Sequence, residues 1–472
     1  MKYHILTLGC QMNMSDTERT KPVIEKMGYT WTDNEDEASL VGILACSVRQ
    51  KAIDKVYSRI HKWNKRKNRE NLLTFVTGCI LPSDKDRFLK LFDIVFPMSE
   101  LPELPAMISQ YGIVTPVSLQ DNNPGNGEVV YQNARVKELK EKAAGLKLNE
   151  HMPDFWHISP NYESPFEAFV PIQNGCDKFC TFCAVPYTRG REVSRPSTEI
   201  IDEVKSLVDR NYKSITLLGQ NVNSYGLDKK GEEISFPELL RKIGEMGKNS
   251  GKEFWVYFTS PHPRDMTDEV IEVIANYDCL AKQIHLPIQS GDDKLLIKMN
   301  RKHSVEKYRA IVNTIRKLIP QATLFTDIIV GFTGETDQQF ENTRKIMDEF
   351  NYNMAYIAQY SQRPGAVSSR WVDDIPVEIK KERFHTLTED LKKSSSALNR
   401  KMVGQTFRVL VRGLERKGEF LSGLTEGRIN VRIHSSDTSL IGQIVDVKIT
   451  SADVFSVAGD LVFIKAPQNI ST

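Results

Sequence analysis

Gly175-Cys176-Asp177-Lys178-Phe179-Cys180-Thr181-Phe182-Cys183 puts three cysteines into one short loop, directly behind the apolar run at residues 168–172. Ligands in the loop after a strand are how a β/α barrel presents chemistry on its functional face. Zinc ribbons use two paired Cys-x-x-Cys knuckles, and ordinary electron-transfer clusters are held by four cysteines. Neither partner knuckle is present in the sequence. Three soft ligands in one loop favour an iron–sulfur cluster over zinc, and they leave one of its four irons without a protein ligand. An iron open to a substrate favours chemistry over electron storage. The competing readings are a disulfide or inert core cysteines.

The sequence around that loop repeats a strand and a helix. Strand-like runs occur at residues 168–172, 214–218, 253–258, 283–287, 322–330 and 355–359, separated by helix-like stretches that include 198–211, 236–247, 267–277 and 305–318. About six β/α repeats imply an incomplete barrel, with the cysteine loop after its first strand.

The N-terminal part is also α/β. Runs at 4–8, 40–45 and 72–77 read as strands, and 14–27, 50–64 and 85–92 as helices, which is the pattern of an open parallel sheet. Cys10, Cys46 and Cys79 each sit just past a predicted strand end. The carboxyl ends of parallel strands share one edge, where such folds bind ligands, so the three thiols become neighbours in space. The alternative is three unrelated buried cysteines. Residues 121–127 read as a linker and 133–147 as a charged helix. Beyond Lys393-Ser394-Ser395-Ser396, runs at 406–412, 420–425, 430–434, 444–451 and 461–465 alternate like short antiparallel strands of a small barrel. From Leu398 onward there are ten Lys/Arg against seven Asp/Glu, a mild positive surplus that hints at RNA or a protein contact.

At 472 residues the chain exceeds one hydrophobic core and divides into two to four domains. We read 1–125 as the first, 126–160 as linker and helix, 161–397 as the barrel and 398–472 as the small β-barrel. No apolar stretch is long enough to span a bilayer and the opening residues lack signal-peptide features, so the expected location is cytoplasmic, with no membrane partner. Seven cysteines, an odd count, sit poorly with a disulfide framework. The net charge of +2 hides the run His61–Arg69, where five cations surround Trp63 and either grip phosphate or cap a solvated helix.

Cys176, Cys180 and Cys183 resemble the signature of the radical S-adenosylmethionine enzymes. Gly9-Cys10-Gln11-Met12-Asn13, Cys46-Ser47-Val48-Arg49, Val76-Thr77-Gly78-Cys79 and Val185-Pro186-Tyr187-Thr188-Arg189-Gly190 are similar to the methylthiotransferases, and the spelling Gln11-Met12-Asn13 is most similar to the MiaB type. The resemblance spans almost the whole chain and implies an N-terminal methylthiotransferase domain, a radical barrel and a C-terminal domain similar to the RNA-binding TRAM module. Leu44-Ala45 and Thr333 depart from the family's common spelling, and no ligand is lost.

What the resemblance implies is specific. One 4Fe-4S cluster on Cys176, Cys180 and Cys183 would bind and cleave S-adenosylmethionine, and a second on Cys10, Cys46 and Cys79 would carry the transferred sulfur. These six cysteines are the expected metal ligands and catalytic residues. Two S-adenosylmethionine molecules would be used per turnover, one as methyl donor and one as source of the 5′-deoxyadenosyl radical. The expected product is a methylthio group on carbon 2 of isopentenyl-adenosine 37 of tRNA; the runner-up targets are threonylcarbamoyl-adenosine in tRNA and a ribosomal-protein aspartate. Expected partners are the tRNA anticodon stem-loop, an electron donor such as a flavodoxin or ferredoxin, and a sulfur source for the second cluster.

Candidate cofactor contacts at barrel strand ends are Gly219, Gln220, Asn221, Ser260, Gln289, Ser290, Gly291 and Gly331, each equally readable as turn or lining. Arg189, Arg191 and Arg195 are expected at phosphates, at the cofactor carboxylate or in ion pairs. Cys279 reads as a buried spare thiol. Residues after Leu398, with the run at 62–69, are expected to hold the RNA stem, so that truncation there weakens RNA binding and spares cofactor cleavage.

Overall fold

The computed structural model describes residues 1–47, 50–111, 152–416 and 418–462; the linker and charged helix expected at 121–127 and 133–147 lie outside them. Five parallel strands, β1 (Lys2–Thr7), β2 (Thr30–Trp31), β3 (Leu40–Cys46), β4 (Leu73–Cys79) and β5 (Ile94–Val95), form a sheet in the order β2-β1-β3-β4-β5. β3 and β4 are buried at every residue, as continuous apolar runs in a parallel sheet require. Each Leu, Ile or Val so buried contributes about 1.5–3 kcal/mol. Gly42 has no side chain because the Phe75 ring fills its place; a Cβ there would lie 1.9 Å from Phe75 Cζ. Cys46 and Cys79 are the last residues of their strands rather than the first beyond them, and they face each other in the register.

The helix Gln11–Glu25 is poor in apolar residues, yet Asn13, Ser15, Asp16, Thr17, Glu18, Arg19 and Thr20 are all buried along it. Its outer side is covered by the barrel. Ser15 Oγ donates to the Phe169 carbonyl at 3.3 Å, and the fully buried Arg19 reaches Glu203 on the helix Ser197–Asp209 at 3.1 Å. Glu203 also accepts from Arg195 and Tyr162. Burial by itself would raise the Glu203 carboxyl; Arg19 and Arg195 outweigh it and hold the carboxyl below its ordinary value. This buried network welds the first layer to the second.

The barrel contains β6 (Glu167–Pro171), a short ribbon of β7 (Gln173–Asn174) and β8 (Val193–Ser194), then β9 (Ser214–Leu218), β10 (Trp255–Phe258), β11 (Gln283–His285), β12 (Thr323–Val330) and β13 (Met354–Gln359). Two parallel sheets, β10-β9-β6 and β11-β12-β13, are joined by the bridge Val256–Leu280, so six strands make an incomplete barrel. Ala168, Val170, Ile215, Leu217, Val256, Ile284 and Ile328 face the surrounding helices in one apolar core. Strand alternation leaves Phe169, Thr216, Tyr257, His285 and Asp327 for the lumen.

The helix Val377–Met402 runs unbroken through Leu398. Composition hid it: Ser394 and Ser395 read as a break, but their hydroxyls donate to the carbonyls of Tyr352 and Asn353. Behind it, β14 (Thr406–Leu414), β15 (Leu421–Thr425), β16 (Asn430–Ile433), β17 (Ile444–Ala452) and β18 (Ser456–Leu461) close a barrel in the order β14-β15-β16-β18-β17. The strand β18 was not expected, because Gly459 and Asp460 weaken its sequence signal; the strand expected at 461–465 lies mostly outside the described residues. The barrel is not wholly antiparallel, since β16 and β18 pair parallel. Leu410 and Ile444 cover Trp255 and Tyr257, and Phe325 of β12 joins the small barrel's core. Truncation after Leu398 would uncover these residues, so it is no clean probe of RNA binding.

Candidate cluster and cofactor site

Cys10 is the N-cap of the helix Gln11–Glu25, and Asn13, one turn in, ties the first thiol set together. Its Nδ2 donates to the carbonyls of Leu8 at 3.2 Å and Ala45 at 2.8 Å, while its Oδ1 faces Cys10 Sγ at 3.7 Å and Cys79 Sγ at 3.9 Å. The backbone before two of the cysteines must be glycine. Gly9 has φ +144° and its Cβ would stand 2.9 Å from Cys46 Cβ; Gly78 has φ +100° and its Cβ would stand 2.6 Å from the Ala45 carbonyl oxygen. Burial pushes the Cys79 thiol up to about 12 despite the nearby Arg189 guanidinium.

The second set stands on the loop after β7. Gly175, at φ +81°, enters a space where a Cβ would meet the Arg191 carbonyl oxygen at 2.0 Å. The Cys183 N–H donates to the Cys180 carbonyl, and Asn300 Nδ2 donates to the carbonyls of Lys178 and Phe179. Arg301 Nη1 donates to Cys180 Sγ at 3.4 Å and its Nη2 to the Pro287 carbonyl at 2.7 Å. Burial raises Cys176 to about 12 and Cys183 to about 11. Desolvated thiols of this kind ionise only when a cation takes the charge, as metal ligands do.

Among the described residues no three His, Cys, Asp or Glu side chains are placed to hold a single metal ion. A four-iron cluster binds each thiolate through a different iron, so its ligands do not converge on one point. Two trios of cysteines, each with two buried members and one half-buried, and each beside an arginine that donates to a sulfur, fit such clusters in donor type and charge.

Arg189 links the two trios. It ends the helix Val185–Arg189, just behind Cys183, and crosses to the first layer, donating from Nε to Cys79 Sγ at 2.9 Å and from Nη2 to Asp16 at 2.5 Å. Its Nη1 donates to Asn174 Oδ1 at 3.1 Å. Arg191 forms an exposed pair with Asp177, and Arg195 belongs to the Glu203 network. The role of Asn13 was missed although it stands three residues after Cys10 in the motif at 9–13, because its ties to Ala45 and Cys79 exist only in the folded sheet; Asn300 and Arg301 were missed because neither forms a spaced motif with the cysteines it serves.

The barrel mouth holds polar groups with unmet hydrogen-bonding capacity. Gln173 Oε1, Asn221 Oδ1, His262 Nε2, Arg301 Nε and His303 Nε2 are buried without a partner, each costing about 1–3 kcal/mol unless a ligand meets it. Lys178 pairs with Asp265 at 2.8 Å beneath Asn221, whose Nδ2 donates to Asp265. Burial, then Arg301, holds His303 down at about 4; burial, then Arg301 and His303, pushes His262 lower still. Both imidazoles are therefore neutral near pH 7. Of the expected cofactor contacts, Gly219 lies against Gln173 Oε1, Gln220 Oε1 accepts from the Gly175 N–H at 2.5 Å, and Ser260 and Gln289 hold positive φ at strand ends. Ser290 and Gly291 pack on Thr343, and the Gly331 N–H is taken by Glu335. Cys279 is a half-buried thiol against Gly247, remote from either trio in its contacts.

Three of the five cations in the run near Trp63 are already engaged. Lys62 pairs with Glu35, Arg66 with Glu70 and Lys67 with Asp93. It ties a helix to its neighbours, which weakens its case as a phosphate grip.

Residues 170–347 match the Radical SAM superfamily, 2–97 the Uncharacterized protein family UPF0004 and 400–462 the TRAM domain. The radical S-adenosylmethionine methyltransferase TsrM from Kitasatospora setae superposes with a TM-score of 0.51 at 14% identity, over 76% of this chain and 72% of that one, a likeness of fold alone. Fold and site thus define a radical S-adenosylmethionine enzyme. Two relatives are far nearer in sequence, both tRNA-2-methylthio-N(6)-dimethylallyladenosine synthases: one from Clostridium perfringens, 37% identical over 97% of each chain, and one from Clostridium botulinum, 38% identical over 97% of this chain and 96% of its own. The chain belongs to that family.

Proposed function

We propose that this protein places a methylthio group on carbon 2 of isopentenyl-adenosine at position 37 of tRNA. The carrying observation is the pair of cysteine trios joined by Arg189 in a chain alike end to end to synthases of that name. Residues 1–125 supply Cys10, Cys46 and Cys79 for one 4Fe-4S cluster, 161–397 supply Cys176, Cys180 and Cys183 for the other, and 398–472 face the RNA. When bound, the two clusters with S-adenosylmethionine supply a carbon radical, a methyl group and sulfur, which is what an unactivated aromatic C–H bond demands.

The chain's own residues prepare that chemistry. Arg301 and Arg189 donate to ligand sulfurs and offset their negative charge without moving a proton, since guanidinium stays charged. Neutral His262 and His303, with Asn221 and Gln173, offer hydrogen bonds from buried atoms to a polar cofactor. Gly219, Gln220, Ser260 and Gln289 shape its walls; Ser290, Gly291 and Gly331 hold the loops that frame it. An electron donor of the flavodoxin or ferredoxin kind and an external sulfur source complete the reaction, and the site of action is the cytoplasm; among the described residues no helix is long and apolar enough to cross a membrane.

The test is mass spectrometry of nucleosides from isopentenylated tRNA incubated anaerobically with reconstituted protein, reductant and S-adenosylmethionine. The methylthio nucleoside should appear together with 5′-deoxyadenosine. Cofactor cleavage without that nucleoside would overturn the assignment.

A further inference from the structure

The turn between β15 and β16 enters the floor of the large barrel. Tyr257 OH donates to the Glu426 carbonyl at 3.0 Å, the Lys282 N–H to Glu426 Oε1 at 2.9 Å, and Thr323 Oγ1 to the Gly427 carbonyl at 2.7 Å. The next residue, Arg428, adopts φ +57°, a left-handed conformation that costs a side chain of its kind about 1–2 kcal/mol. That strain aims its guanidinium at the lumen side, 4.1 Å over the Tyr257 ring and with Nη2 donating to Thr216 Oγ1 at 2.9 Å.

Among the described residues no carboxylate lies within ion-pair distance of Arg428. A largely buried guanidinium has five N–H donors to satisfy, and desolvating it without an anion is costly. It faces a crevice of about 90 Å³, bordered by Gln11, Glu167, Phe169, Thr216, Tyr257 and Arg412. The crevice thus touches all three parts of the chain, and Gln11 directly follows Cys10 of the first trio. Arg412 is half-exposed and pairs with Glu167 at 2.9 Å, so Arg428 leaves the crevice a net positive charge. That space is several times what one water needs, so a phosphate-sized group fits it.

We propose that this crevice seats a backbone phosphate of the RNA substrate, with Arg428 as inner donor and Arg412 as outer donor. A guanidinium fork matches phosphate oxygens two at a time, which an ammonium cannot do. Gln11, at the crevice wall beside Cys10, then registers that phosphate against the first trio, so seating the backbone positions a nucleotide near the sulfur-bearing centre. The inference rests on the RNA reading above and deepens it by naming the grip.

The experiment measures binding of an isopentenylated anticodon stem-loop RNA to the full-length, cluster-loaded protein by fluorescence anisotropy at several salt concentrations. Wild type is compared with Arg428→Met, Arg428→Lys and Arg412→Gln, with melting temperature and iron content reporting integrity. Arg428→Met should weaken binding about ten-fold or more and lower the salt slope by about 0.7–1, the change expected when one phosphate is no longer neutralised. Arg428→Lys should recover charge and slope while leaving affinity reduced. Unchanged affinity and slope in a folded Arg428→Met protein overturn the proposal. Should that variant not fold, an unchanged slope in Arg412→Gln overturns it instead. Inorganic phosphate added to the wild type should compete only at high concentration; competition by phosphate with no RNA effect in the variants marks a free-phosphate site and also overturns it. Product analysis on the wild type separates the two readings: methylthiolation with unaffected variants removes the crevice alone, and intact RNA binding without product removes the proposed function alone.

Discussion

The two cysteine trios reach similar surroundings by opposite routes. Cys176, Cys180 and Cys183 lie within eight residues of one loop, held locally by Gly175 and pinned from outside by Asn300 and Arg301. Cys10, Cys46 and Cys79 come from three separate strand ends, and a parallel sheet with Asn13 as the tie brings them together. A local trio depends on loop geometry; a distributed one depends on the register of a whole sheet. Arg189 then makes each site sensitive to the other, because it ends the short helix that follows the loop of one and donates to a sulfur of the other.

The hardest way to break the comparison is to remove a ligand. Cys180→Ser should abolish 5′-deoxyadenosine formation and leave about four irons on the first trio, whereas Cys46→Ser should abolish methylthio transfer and keep cofactor cleavage. Iron and sulfide counts with both product assays check this; parallel loss of both activities in either variant would mean that the trios are not separate sites.

Next in size is the weld between the layers. Glu203→Ala leaves Arg19 and Arg195 buried without their shared carboxylate and should cost about 3–5 kcal/mol by denaturant unfolding. Because Glu203 is held below its ordinary carboxyl value, its stabilisation is complete above the unfolded pKa and is lost as pH falls through the lowered folded one.

Asn13→Ala sharpens the contrast between distributed and local assembly. It strands the Leu8 and Ala45 carbonyls, about 1–3 kcal/mol each where buried, and should lower iron occupancy of the first trio while the second keeps its own. Equal losses at both sites, read by electron paramagnetic resonance, would count against Asn13 as the tie.

The smallest effect is a pH slope near the second trio. His303 is held near 4, below its unfolded value of about 6.5, so the folded state binds fewer protons between them and loses stability as pH falls through that window. His303→Asn should flatten the slope of melting temperature against pH between about 4 and 6.5.

Elements whose signal is local were legible beforehand. β9 and the helix Val305–Leu318 stand at the residues that periodicity indicates, and the apolar runs of β3 and β4 announce a doubly covered sheet. The helix Gln11–Glu25 shows where that approach stops. Its polar residues are buried because the barrel covers them, and Arg19 is paired across 184 positions in sequence. The helix Val377–Met402 was hidden for a related reason, since its serines find carbonyl partners only after β13 is in place.

By itself the sequence determined the chemistry available: two sets of three thiols, the glycines that let their loops turn, and the order of strands and helices that carries them. Those depend on residue type and short spacing, which a linear chain states directly. Tertiary structure alone decided that Arg189 would join the sets, that Arg428 would be desolvated over Tyr257, and that Lys62, Arg66 and Lys67 near Trp63 would be spent on carboxylates. An ion pair or a sulfur contact between distant positions is a matter of distance and dielectric, and both exist only once the chain has folded.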